Sequence, residues 1–144
     1  MIHFEPCKVQ HFDYIIPLSV QSDEYRRLWT AGYLDALLAG LALSAWASGT
    51  CLGAAGVISP PAWGSRGEAW SMLTGVAAPH LLPIVRKIRH VVSQLPYERI
   101  DMLVADGNEN GHSLARLCGF AYEARLEKYH PSGRDAHMYK RIRH

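Results

Sequence analysis

Apolar residues along the chain fall into short runs that alternate between two periods. Ile2 to Pro6 reads as a strand that the proline ends. His11 to Val20 has the weak pattern of a first helix. Ser22 is a good N-cap, and Asp23 and Glu24 favour the first turn of a second helix through Arg27. Tyr33 to Gly40 extends that helix or forms another. Leu41 to Ala47 and Cys51 to Ile58 are apolar and rich in small residues. Ser48-Gly49-Thr50 lies between them, so the pattern predicts two antiparallel strands joined by a tight turn. Ser59-Pro60-Pro61 stops the second of these strands, and Ala62 to Arg66 reads as loop.

Glu68 to Gly75 alternates as a fourth strand. Pro79 suits the first turn of a helix. Ile84, Ile88, Val91 and Leu95 then recur at helical spacing, with Arg86, Lys87, Arg89 and His90 on the other faces. Pro96 ends this helix. Ile100, Met102 and Val104 mark a fifth strand over Arg99 to Ala105. Asn108 to Cys118 is a short helix closed by Gly119. Phe120, Tyr122, Ala124 and Leu126 alternate with polar residues as a half-buried strand, and Asp135 to Ile142 returns as the last. The order is β-α-α-β-β-β-α-β-α-β-β. Ile84, Ile88, Val91, Leu95 and Phe120 are the expected core.

Composition narrows the class. At 144 residues and 16.1 kDa the chain has the size of one domain. An apolar content of 49% with 19% charged residues excludes a disordered chain. A net charge of +2 is too small to argue for nucleic acid or a membrane surface. The basic cluster Arg86, Lys87 and Arg89 reads as the solvated side of a helix; with Lys140 to His144 it could bind phosphates, but no aromatics interleave it, so a nucleic-acid surface is not expected. The apolar stretch Leu34 to Ala47 is broken by Asp35, Gly40 and Ser44 and is too short to span a bilayer. Three widely spaced cysteines and no apolar leader fit a reducing compartment, so the expected location is the cytoplasm. The eight histidines include no i, i+4 pair and no H-E-x-x-H, so no metal is expected.

The segment Asn108 to Phe120, NENGHSLARLCGF, has a strand before it, an asparagine, a short helix, then Gly-Phe. Together with the order of elements, it resembles the GNAT superfamily of acyl-CoA N-acyltransferases. The arrangement of GEAWSMLTG, a basic helix and this segment further resembles the GNAT-like internal virion protein A group of podoviruses. The resemblance implies one α/β (α+β) domain over residues 1–144. It would hold a central mixed, mostly antiparallel sheet of six to seven strands, with helices on both faces and the fourth and fifth strands adjacent. It implies acetyl transfer from acetyl-CoA to an amine, in a bacterial host cytoplasm. The alternative is a non-catalytic phage or prophage protein acting with virion proteins in the particle or its assembly.

Under the first reading, Glu68 would be the general base. Leu73, Gly75, Ala78, His80 and Asn108 would contact acyl-CoA. Glu98, Asp101, Asp106 and Glu109 are expected at turns or on outward faces. Two positions depart from the superfamily pattern. GVAAPHLLP, from Gly75 to Pro83, replaces its glycine-rich pyrophosphate loop, and Pro79 and Pro83 each remove an amide donor. Ala115 stands where the superfamily has a tyrosine acid, so turnover should be slow. His112 and Ser113, which could stand in for it, are expected to be solvated. Asn108 is also a good helix cap in its own right. Cys51 and Cys118 are expected to be buried thiols, Trp46 and Trp70 to line the core or the acceptor cleft, and Trp63 to be exposed.

Overall fold

The computed structural model describes residues 1–18, 31–130 and 132–143. The predicted helix start at Ser22 to Arg27 lies outside them. Seven strands form one sheet: β1 (Ile2–Pro6), β2 (Leu41–Ala47), β3 (Thr50–Ile58), β4 (Arg66–Leu73), β5 (Arg99–Ala105), β6 (Ala121–Leu126) and β7 (Ala136–Ile142). Their order is β1-β2-β3-β4-β5-β7-β6, mostly antiparallel, with β4 and β5 paired in parallel. Among the described residues, the helices are α1 (Phe12–Ile15), α2 (Ala31–Leu38), α3 (Leu81–Gln94) and α4 (Glu109–Leu117). Among the described residues, no helix is long and apolar enough to cross a membrane.

The chain folds into two compact units, residues 1–58 with 70–84, and residues 59–69 with 85–144. In the first, β1 pairs with β2 from Ile2↔Ala47 to Pro6↔Leu43, and β2 returns as β3. Ser48 and Gly49 both take positive φ, 50° and 79°, at the turn between them. That twist suits a two-residue hairpin, and glycine adopts it without strain. Phe12, Ile15, Leu37, Cys51, Ala54 and Met72 form the core, with Trp46 and Trp70 packed against it. The predicted first helix is shorter than its pattern: 3-10 turns at Val9–His11 and Ile16–Leu18 flank the single α-turn of α1. Pro17, inside the second turn, has no amide to continue an α-ladder.

In the second unit, β5 pairs antiparallel with β7 over seven residue pairs, and β7 with β6. Ile100, Met102 and Val104 are buried, as their alternation requires. Asn108 caps α4 and Gly119 leaves it at φ 93°. Phe120 is buried just before β6, and Ala124 and Leu126 are half-buried between exposed Glu123, Arg125 and Glu127, as the alternation predicts; Tyr122 departs from it. Tyr122 is exposed, because β6 is the last strand of the sheet and bulges between Tyr122 and Ala124.

The apolar stripe of α3 is also turned from its predicted position. Ile84, Val85 and Val92 are buried, whereas Ile88, Val91 and Leu95 are only half-buried. Val85 and Val92, seven residues apart, lie on the row beside the predicted one, and packing selects the edge of the stripe they share with Ile84. The helix also begins later than Pro79. Gly75–His80 is a 3-10 turn that contains this proline, and α3 starts at Leu81.

Candidate functional site

The parallel pair β4–β5 sets the geometry of the predicted base. The register runs from Arg66↔Arg99 to Ala69↔Met102 and stops there, although β4 continues to Leu73 and β5 to Ala105. Glu68 is the third residue of β4, opposite Asp101. It is half-buried and makes no hydrogen bond or ion pair among the described residues. Burial lifts its carboxyl above the ordinary glutamate value, Arg66 draws it back, and the charge of Asp101 adds to the lift. A carboxyl shifted this way accepts a proton more readily near neutrality than an exposed one does.

Asp101 does not face outward as predicted. It is 2% exposed and lies between two guanidinium groups, Arg66 Nη1 at 3.0 Å and Arg99 Nε at 2.6 Å. A buried carboxylate is tolerated only with such partners. Arg99 reaches on to Glu123, which also receives Lys140 Nζ at 3.5 Å. The sequence does hold a signal for this network. Both strands open on the same pattern, Arg66-Gly67-Glu68 and Arg99-Ile100-Asp101, which puts the charges of each on one face.

The predicted acyl-CoA residues fall in two places. Leu73 ends β4, half-buried, and Gly75, Ala78 and His80 follow it in the 3-10 turn, the first two exposed. Thr74 anchors this turn: its amide donates to the Leu52 carbonyl at 3.0 Å and its hydroxyl to the same oxygen at 3.1 Å. The Ala77 amide is bonded to the Thr74 carbonyl and the Leu81 amide to that of Ala78. Pro79 in the turn and Pro83 in the first turn of α3 have no amide, so neither can donate to an anion.

Asn108, at the other place, accepts the Gly111 amide on Oδ1 at 3.0 Å. It acts there as the cap of α4. Asn108→Ala should therefore lower stability by about 1 kcal/mol, measured by urea unfolding. No loss would mean the cap bond is not formed in solution.

Ala115 is fully buried, and its place offers no acid. Ser113 is exposed, as expected, but His112 is buried rather than solvated. Its Nδ1 lies 2.6 Å from the Tyr139 hydroxyl, because α4 presents it to the wholly buried Tyr139 of β7. Burial also holds its imidazole below the ordinary histidine value. Cys51 and Cys118 are buried, and burial pushes the Cys118 thiol up to about 11, so it is no nucleophile at neutral pH.

The sequence matches no protein-family model and no curated protein. Solved structures do match. A probable acetyltransferase from Staphylococcus epidermidis ATCC 12228 superposes with a TM-score of 0.80 at 11% identity, over 100% of both chains. An acetyltransferase of the GNAT family from Bacillus anthracis gives 0.71 at 10%, over 98% of this chain and 94% of that one. The microcin C7 self-immunity acetyltransferase MccE, solved with acetyl-CoA and AMP, gives 0.70 at 14%, over 99% and 92%. The class these define is a fold: the chain has the seven-stranded architecture of GNAT acetyltransferases.

Proposed function

We propose that this chain is a single-domain N-acetyltransferase that moves an acetyl group from acetyl-CoA to an amine. The observation that carries the reading is Glu68: a half-buried acid without a partner among the described residues, its carboxyl raised by burial, on the parallel strand of a GNAT fold. Acetyl-CoA supplies the activated acyl group, and the cytoplasm is where it is available. β4 beyond Ala69, free of β5's register, is a segment to which an extended amide chain can add as a strand would. Leu73, Gly75, Ala78 and His80 would hold the rest of that ligand, with Asn108 offering its side-chain NH₂. The amine nitrogen attacks the thioester carbonyl and the C–S bond breaks. Glu68 takes the proton the amine loses. With Ala115 in the acid's place, water protonates the departing thiolate, so turnover is slow.

Affinity for acetyl-CoA should be weak, with a Kd above the micromolar range, because Pro79 and Pro83 offer no amide and that of Ala77 is spent on the Thr74 carbonyl. Titration calorimetry with acetyl-CoA and with CoA tests this. Submicromolar binding would show that other groups serve the pyrophosphate. CoA release from acetyl-CoA over a panel of amines tests the reaction itself. The same turn and the buried Ala115 also favour a second reading, a GNAT-like protein without catalysis that assembles with phage virion proteins. No turnover on any amine, together with co-assembly that a Trp63 variant disrupts, would favour that reading.

A further inference from the structure

Two arginines flank Asp101, and they are not equivalent. Arg99 is fully engaged: Nε goes to Asp101, and Nη1 and Nη2 both go to Glu123. Arg66 gives only Nη1 to Asp101, and its Nε and Nη2 have no partner among the described residues. Its side chain is 40% exposed, yet it is held in place. The guanidinium carbon stands 4.3 Å over the ring of Trp63, a stacking contact that fixes the plane of the group. The platform is itself tied down. The Trp63 amide donates to the Pro60 carbonyl at 2.9 Å, the Ser59 hydroxyl to the Arg66 carbonyl at 2.7 Å, and the Glu98 amide to the Ser65 carbonyl at 2.9 Å. The result is a pre-oriented fork with free donors, the geometry that pairs with a carboxylate or a related oxyanion.

Glu68 lies two residues further along β4, on the same face and about 7 Å away Cα to Cα. One face of the strand thus offers a free cationic fork beside an acid without a partner. We infer that the acceptor is a zwitterion of the amino-acid class, its oxyanion on Arg66 and its ammonium against Glu68. An amine without an anionic group near its nitrogen would leave the fork unpaired, and a polycation would be repelled by it. This specifies the acceptor of the reaction proposed above and rests on that reading only for the transfer step.

The experiment has a binding arm and a transfer arm. The first follows the Trp63 indole and Arg66 Nε–H signals by ¹⁵N NMR during titration with each common L-amino acid, with the matching methyl esters, and with acetate. The expected result is movement of both signals with at least one amino acid and at least tenfold weaker response to its ester and to acetate. No response to any amino acid, an equal response to the ester, or an equal response to acetate would overturn the inference.

The second arm compares kcat/KM for that amino acid and its decarboxylated amine. The expected preference is tenfold or more, collapsing to about twofold or less in Arg66→Gln. Arg66→Lys, which keeps the charge beside Asp101 but loses the fork, should lose most of the preference while staying folded. Equal rates in the parent would overturn the inference. A parent that binds amino acids as expected but transfers no acetyl group would overturn the proposed reaction and leave the acceptor site standing.

Discussion

Glu68→Gln should lower the rate of acetyl transfer by about a hundredfold or more, the usual scale for one general base. The substitution keeps the shape and hydrogen-bonding length of the side chain and removes the proton acceptor. An amine attacks only when neutral, so its proton must go to a nearby group. Glu68 is the half-buried acid of β4, and burial raises its carboxyl. The sign of the pH effect follows. A base must be ionised to work, so the parent's kcat/KM should rise as pH rises through the raised Glu68 value. The acid limb should therefore sit above the ordinary glutamate range, and in Glu68→Gln this component should vanish. Stopped assays of CoA release across pH 4.5 to about 9 would read both effects. An unchanged rate in the variant would remove Glu68 from the mechanism.

Val85→Asp should destabilise the fold by about 4 kcal/mol. Roughly 2 come from lost burial of the valine and a similar amount from burying a carboxyl without a partner. Ile88→Asp should cost about half as much, because Ile88 is only half-buried and its carboxylate can reach water. Equal losses in urea unfolding, or a larger one at Ile88, would put the buried stripe of α3 back on the row that spacing alone indicates.

That contrast shows what local pattern reveals and what it conceals. The hairpin at Ser48-Gly49 was legible because the turn chemistry is local and specific, with both residues at positive φ. So was the α4 segment, where an N-cap, an amphipathic helix and a glycine follow in order. The stripe of α3 was legible as helix but not in rotation, since Ile84, Val85, Ile88, Val91 and Val92 are all apolar and packing chooses among them. Of the candidate site, the place of Glu68 near the start of a strand was legible from the alternation that follows it. The burial of Asp101 was not, because it depends on Arg66, which is 35 residues away and becomes a neighbour only once β4 and β5 pair. The burial of His112 is hidden from local pattern for the same reason: its partner, Tyr139, comes from the last strand.

The bulge in β6 bears on how the protein behaves at high concentration. A strand at the end of a sheet carries a row of backbone donors and acceptors that another chain can pair with, the first step toward fibres. Here the register slips between Tyr122 and Ala124, and Glu123 and Arg125 place charges along the strand, Arg125 fixed by Asp135 at 2.7 Å. A second copy's strand would meet a kinked template and a charge it must desolvate. The irregularity that breaks the strand's regular alternation also protects the chain from self-association through this edge.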